Sequence, residues 1–292
     1  MAEALLAAAA GVTVLGAAAG TGKTGISIGI LRSLARRGVP CAPFKAVAVV
    51  APDDPALPSV PPWQRGVLHS CAAAHVPVEW WNNPVLVDLP QPGAIEGDLY
   101  VRGERMGRVT VSGEDSLNIA TLPDRLRRAC EEAVHDGYDR FADSGRWPLV
   151  EGAAGVGELE PQDDLANQIV PARAGLPVLL VTNPRRSGHL AALTGLPWLL
   201  APALRDLVLG FVLNQVTYGA RLDVMIQRLT LATGLRLLGT VADSPLPSDY
   251  DGSPFMLETL YERRAAYVRE SGLLDSLPLP TPVGSIQDEA VS

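Results

Sequence analysis

Along the chain, apolar and polar positions fall into two alternating rhythms. Short, nearly unbroken apolar runs recur at 11–15 (GVTVL), 46–51 (AVAVVA), 148–151 (PLVE), 176–182 (LPVLLVT), 207–214 (LVLGFVLN) and 236–242 (RLLGTVA). Runs of that length without polar alternation read as strands buried on both faces, the pattern of a parallel sheet. Between several of them the spacing lengthens to a helical period. TGISIGILRSLARRG (24–38) reads as a helix ending at Gly38 and apolar on most sides. Residues 122–137 place Leu122, Leu126, Cys130 and Val134 on one face, with Thr121 and Asp124 as an N-cap pair, and a third helix covers 220–233. Strands alternating with helices predict an α/β fold: a mostly parallel sheet with helices on both faces, and ligands gathered at the C-terminal ends of the strands.

Residues 52–113 break this rhythm. They are proline-rich up to Pro62, carry a short helical stretch near 64–75, and end in DLYVRGERMGRVTV, two runs around a turn that read as a β-hairpin. The segment reads as an insertion covering a substrate. From residue 274 to 292 the chain reads as a proline-spaced tail, extended or mobile, after one large domain over 1–273. No internal repeat is visible.

Composition narrows the function classes. The chain has 292 residues, enough for a large core, and a net charge of −8, which argues against a nucleic-acid surface and leaves small molecules as partners. Its three cysteines, Cys41, Cys71 and Cys130, lie far apart without C-x-x-C spacing, so neither a disulfide framework nor a zinc site is expected and a reducing cytoplasm fits. LLAAAAGVTVLGAAA near the start has the apolarity of a signal-peptide core, yet MAEA supplies no positive region before it and the run is too short to span a membrane.

The chemistry begins at GVTVLGAAAGTGKTGIS (11–27). A phosphate-binding loop of the form G-x-x-x-x-G-K-[ST] needs glycine at position 17, where this chain has Ala17. The physical requirements are looser: inward-pointing backbone N–H groups, a helix N-terminus facing the anion, and a lysine. Gly16, Gly20 and Gly22 give the backbone freedom for such a cradle, formed with Thr21. Lys23 then reaches the terminal phosphates and Thr24 offers its hydroxyl to Mg²⁺. A second candidate lies at the end of PLVE, where Glu151 is followed by small residues that let a ligand approach. An acidic side chain at a strand tip near a phosphate loop is a natural Mg²⁺ ligand.

CAPFK (41–45), NNPVLV (82–87), LVEGAAG (149–155), DLANQ (164–168), PVLLVTNPRRSG (177–188) and GFVLNQV (210–216) occur in an order and spacing that resemble the ATP-dependent synthetase domain of cobyric acid synthase. That domain is related in mechanism to cobyrinic acid a,c-diamide synthase and dethiobiotin synthetase, and the resemblance covers about residues 10 to 245. It implies a P-loop NTPase fold of the dethiobiotin synthetase type, with ATP and Mg²⁺. It further implies an activity in which ATP phosphorylates a carboxylate or carbamate before a nitrogen nucleophile attacks the activated carbonyl. By the same resemblance Lys45 bridges the γ-phosphate and the acceptor carboxylate, Glu151 binds Mg²⁺, and Asn214 reads the nucleotide base. Arg186 and Gly188 match a turn without an assigned role, and a homodimer is carried over from the relatives.

The chain departs from the family in ways that point to a different acceptor or reduced catalysis. Ala17 and Ala19 stand where the family's loop has polar contacts, Ala154 replaces the second glycine of an EGAG motif, and AVAVVAPDD follows Phe44-Lys45 in place of a polar segment. The family's next carboxylate falls near Pro62 or Trp63, so Asp53 or Asp54 would have to replace it as a metal ligand. The relatives continue into a glutaminase domain, and this chain enters its proline-spaced segment where that domain would start. The nitrogen would then come from a separate glutaminase subunit or from an amine. Trp63, Trp80 and Trp81 are candidates for stacking on a substrate. The competing expectation is a nucleotide-binding relative without ligase activity, either degenerate or a regulatory ATPase of the ParA or MinD type. The latter carries a second lysine where this chain has Gly16, Ala17 and Ala18.

Overall fold

The computed structural model describes residues 11–112, 116–217 and 221–279. The apolar runs become the strands β1 (Val12–Gly16), β7 (Trp147–Glu151), β8 (Val178–Thr182), β9 (Val208–Val216) and β10 (Leu237–Ala242). With β2 (Cys41–Phe44) they form a six-stranded sheet of order β10-β9-β8-β1-β7-β2. Every neighbouring pair in it is parallel.

Alternation along β1 shows why the run had to be apolar throughout. Val12 and Val14 face one layer, packing with Ile26, Ile30 and Leu34 of α1 (Lys23–Arg36). Leu15 faces the other, with Leu193 and Leu196 of α5 (His189–Leu199) and Leu229 of α7 (Leu222–Thr233). A strand covered on both faces has no solvent side on which to place polar residues.

A second sheet of order β3-β4-β5-β6 lies beside the first. Its strands are β3 (Val47–Val50), β4 (Val85–Asp88), β5 (Glu96–Val101) and β6 (Glu104–Thr110). The expectation that 46–51 joins the main sheet is therefore corrected: β3 pairs parallel with β4, and β2 takes the edge of the main sheet instead. β2 is four residues long and contains Pro43, which an edge position tolerates because only one side must donate to a ladder. The expected hairpin is β5–β6, turning at Arg102 and Gly103 with φ 53° and 84°, the left-handed pair a tight hairpin requires. The second sheet packs through Val47, Val85, Val87 and Leu99 on α3 (Asp124–Ala142), from which Cys130, Ala133 and Val134 reach the same core.

Local contacts explain several of the remaining details. Thr121 does not cap α3: its hydroxyl donates to the Asn118 carbonyl at 2.8 Å, and the helix starts after Pro123. The short helix near 64–75 forms as α2 (Leu68–Ala73), and α4 (Val170–Ala174) and α6 (Pro202–Arg205) are single short turns. A long helix that the apolar pattern does not announce, α8 (Pro254–Glu270), begins at Ser253, whose Oγ accepts from the Met256 amide at 3.4 Å, with Pro254 in the first turn. The segment from 274, expected to be extended or mobile, is packed at its start: Leu274 and Leu277, with Leu273 just before it, are buried in the core beside α1 and α8; residues 280–292, and residues 1–10 at the other end, lie outside the described residues. Among the described residues no helix is long and apolar enough to cross a membrane.

Candidate active site

Parallel strands bring their C-terminal ends to one rim, and the register of the sheet places the expected residues there together. Val14 of β1 is level with Glu151 of β7, and Gly16 is level with Val181 of β8. Past Gly16 the chain is tied to both neighbours: the Ala17 amide donates to the Val181 carbonyl at 2.8 Å and the Val156 amide donates to the Gly16 carbonyl at 2.9 Å. Gly20 and Gly22 then adopt left-handed backbone at φ 68° and 82°. A side chain at Gly22 would also place its Cβ 2.2 Å from Asn214 Nδ2, so glycine is demanded there by conformation and by space. Directly after it α1 starts with no side-chain cap and no acidic residue in its first turn, leaving its positive end open to an anion.

At the end of the loop, three side chains converge. Thr24 donates its hydroxyl to Glu151 Oε1 at 2.7 Å, and Lys45 Nζ donates to the same oxygen at 3.0 Å. Glu151 is 3% exposed. Burial alone would raise its pKa, but the Lys45 ammonium, with the Ser27 and Thr24 hydroxyls facing the carboxylate, outweighs that effect and holds the group below its ordinary range. Lys23 Nζ donates to the carbonyl of Ala154. Between these groups lies a cavity of about 250 Å³ lined by Gly20, Gly22, Lys23, Thr24, Lys45, Val49, Ala153 and Ala154.

Thr24 and Glu151 fit a Mg²⁺ ion in the manner that ion prefers, with one protein carboxylate and one hydroxyl leaving the other positions to phosphate and water. Among the described residues no group of three or more His, Cys, Asp or Glu side chains could hold a metal by itself. Asp53 and Asp54 are not brought to the cavity. Asp53 is exposed, and the Asp54 carboxylate accepts from the Ala56 amide at 2.8 Å and the Tyr250 hydroxyl at 3.1 Å while pairing with His69 at 3.2 Å. Nor do the tryptophans line it: Trp80 and Trp81 meet edge to face at 6.0 Å, and Trp63 packs beside Gly103. The three cysteines are buried thiols pushed up to about 12 by burial.

Asn214 sits at the loop itself, where its amide nitrogen donates to the carbonyls of Thr21 at 2.9 Å and Gly22 at 3.3 Å. Arg186 lies against Gly20, with Nη1 2.7 Å from where a Cβ there would be. Gly188 precedes α5 at φ 82°, and the first residue of that helix, His189, is held below its ordinary pKa by burial and by the charges of Arg186 and Lys23.

Three asparagines to which the sequence assigns no role fix the site. Asn83 Nδ2 donates to the Lys45 carbonyl at 2.7 Å and to the Val85 carbonyl at 3.0 Å, while Asn82 Nδ2 donates to the Pro43 carbonyl at 2.9 Å. The Lys45 amide in turn donates to the Asn82 carbonyl at 2.8 Å. The NNP run therefore clamps the short crossing between the two sheets on which Lys45 stands. Asn167 does the same for the chain after β7, donating from Nδ2 to the Ala153 carbonyl at 2.8 Å. It is oriented by Asp164, whose carboxyl burial pushes up to about 6. Polar residues in a buried stretch such as DLANQ are the available signal, since they persist only with partners.

No family model matches the chain. Curated relatives include a probable cobyric acid synthase of Halobacterium salinarum, 32% identical over 255 residues, covering 83% of this chain and 47% of that protein. The cobyric acid synthases of Mycolicibacterium gilvum (31% identical, 80% and 47% covered) and Frankia casuarinae (32% identical, 81% and 42% covered) are similar to a like degree. This chain spans about half the length of the curated relatives it matches. Among solved structures, the MinC:MinD cell division protein complex of Aquifex aeolicus aligns with a TM-score of 0.44 at 14% identity, covering 89% of this chain and 96% of that one. With a phosphate-loop strand and helix at the centre of an all-parallel sheet, and about a third of its aligned positions shared with these synthases, the chain is a homologue of the cobyric acid synthases and carries a cobyric acid synthase-like domain.

Proposed function

We propose that this chain is an ATP-dependent carbon–nitrogen ligase that activates a small-molecule carboxylate by phosphorylation. The observation that carries the reading is the convergence of Thr24 and Lys45 on one oxygen of the buried Glu151, across a cavity from the loop glycines and Lys23.

A carboxylate is a poor electrophile because its charge repels a nucleophile and oxide is a poor leaving group. In the first step a carboxylate oxygen attacks the γ-phosphorus, the bond to the β–γ bridging oxygen breaks, and ADP leaves with that electron pair. This brings two anions together, so the work of the site is to neutralise and position charge. Lys23 and the open end of α1 serve the phosphates. Lys45, on the far side of the cavity beside Glu151, serves the acceptor and the transferring group together. Mg²⁺, held through Thr24 and Glu151, would supply further charge neutralisation. The low pKa of Glu151 keeps it anionic for that task at neutral pH. In the second step a nitrogen lone pair attacks the acyl carbon, the C–O bond breaks, phosphate departs, and the nitrogen loses a proton to give the amide or a cyclic product. Ammonia from a separate glutaminase subunit and an amine of the substrate are both compatible nucleophiles.

Binding and turnover test this separately. ATP with Mg²⁺ is expected to raise Tm, and Lys23→Ala to abolish the rise. ADP release is expected to need both a carboxylic acid and a nitrogen source. A Tm rise without acid-dependent release would leave a nucleotide-binding protein and remove the ligase.

A further inference from the structure

α8 lies against α1 at two glycines one turn apart, and this close approach carries the Arg264 side chain to the start of α1. A Cβ at Gly29 would stand 2.7 Å from the Arg264 carbonyl oxygen and 2.5 Å from Val268 Cγ2; one at Gly25 would stand 2.9 Å from Arg264 Nη1 and 3.2 Å from its Cζ. The guanidinium therefore occupies the space that a side chain at Gly25 would fill. Cα–Cβ bonds tilt toward the N-terminus of a helix, so that space lies beside the open positive end of α1. The α1 ladder begins with the Ile26 amide donating to the Gly22 carbonyl at 3.3 Å, and the amides of residues 23–25 precede it.

Two positive features thus meet in a partly buried place. Among the described residues the Arg264 side chain makes no hydrogen bond and no ion pair. Burial holds the guanidinium below its ordinary pKa, and the charge of Asp243, whose carboxylate is itself paired with Arg185, does not fully offset this. A cation withdrawn from water in this way calls for an anion. Its place on the rim says which one. Asp243 follows β10 and donates from its amide to the Val216 carbonyl at 3.2 Å, two residues past Asn214, and Arg263 donates to the Pro245 carbonyl at 3.3 Å. Lys45 and Glu151 belong to β2 and β7, across β1 from β9 and β10. Arg264 stands on the far side of the loop from the transferring group, where the innermost phosphate of a triphosphate would lie. We infer that Arg264 is a nucleotide-binding residue that donates to the α-phosphate of ATP, an inference that rests on the nucleotide part of the proposed function.

Calorimetric titration in the presence of Mg²⁺ tests this with ATP and with its two α-thio diastereomers, in each of which sulfur replaces a different α-oxygen. Sulfur is a poor acceptor, so a guanidinium seated on one α-oxygen tells the two apart. The wild-type protein is expected to prefer one diastereomer by about tenfold, and Arg264→Met to weaken ATP by about 10- to 100-fold while bringing the diastereomer ratio close to one. Arg264→Lys keeps the charge without the planar fork. It is expected to retain part of the affinity with a lowered ratio, and it supplies the same readout should Arg264→Met not fold. A wild-type protein indifferent to the configuration, an unchanged Kd in the variants, or a weaker Kd with the diastereomer preference intact would overturn the inference while leaving nucleotide binding in place. Failure of the wild-type protein to bind ATP would overturn both.

Discussion

One wall of the cavity comes from a single short stretch, Gly20, Gly22, Lys23 and Thr24, on one loop and the helix start that continues it. The facing wall gathers Lys45, Val49, Ala153 and Ala154 from two segments about a hundred residues apart, and holds them with Asn82, Asn83 and Asn167. Local backbone conformation shapes most of the first, through left-handed glycines and an uncapped helix end, with Asn214 as its side-chain tie from a distant strand. The second exists only when both sheets have folded and their crossing is clamped. Damage to the two walls should therefore look different: the first fails in binding nucleotide, the second in stability and in use of the acceptor.

The largest test is Lys45→Met. It removes the cation beside a carboxylate that is 3% exposed, and breaking a buried pair by deleting one partner costs about 3–5 kcal/mol. The pH dependence gives the sign. In the native protein the Glu151 pKa lies below its ordinary value, so its stabilising contribution is complete above the unfolded pKa and is lost as pH falls through the folded one. Without Lys45, burial becomes the dominant effect and the pKa moves upward, so the loss should be greatest at neutral pH and shrink on acidification. Urea unfolding across pH measures this, and Glu151→Gln in the same background should recover part of the stability. A neutral-pH cost under about 1 kcal/mol, the worth of an exposed pair, would mean that water reaches the pair freely.

Asn83→Ala probes the clamp with a smaller expected effect of about 2 kcal/mol, from one buried and one part-buried carbonyl left without their donor. Its value lies in the separation of the walls. The ATP-dependent Tm rise should survive, while the KM for the acceptor should increase because Lys45 is no longer pinned from both sides. Equal loss of nucleotide and acceptor binding would show that the clamp supports the whole rim.

The same contrast explains what can be read from the sequence. The strands flanking the loop are visible because a strand buried on both faces has to be apolar along its length, as VTVLG, VLLVT and VLGFVLNQV are. β2 is not, since four residues containing a proline carry no such pattern, and 46–51 reads as part of the wrong sheet because periodicity does not say which neighbour a strand pairs with. Lys23, Thr24 and Glu151 stand out through their immediate neighbours. Asn83 acts on a residue 38 positions away and Asn167 on one 14 away, and Val49 is meaningful only beside a cavity. No local pattern carries those distances. Asp53 and Asp54 illustrate the converse: as nearby carboxylates they could stand in for the one expected near Pro62 or Trp63, but the fold gives Asp54 to His69 and Tyr250 instead.

The smallest test concerns Ala154, a residue that departs from the EGAG pattern and whose backbone makes the departure costly. It sits at φ 47°, in the left-handed region, with its carbonyl accepting from Lys23. An alanine there costs about 1–2 kcal/mol relative to a residue without a Cβ. Replacing it with glycine relieves that strain but also loosens the unfolded chain, which takes back about 0.4–1 kcal/mol. Ala154→Gly should therefore stabilise the protein by between about 0 and about 1.6 kcal/mol, read as a small rise in the urea midpoint. The more telling readout is nucleotide binding. If the strained carbonyl is what holds Lys23 against the acceptor wall in the absence of ATP, a softer backbone should let the ammonium leave more easily and the ATP-dependent Tm rise should grow. If the rise is unchanged while stability increases, the strain belongs to the strand tip alone, and the two walls of the cavity are energetically independent even where Lys23 joins them.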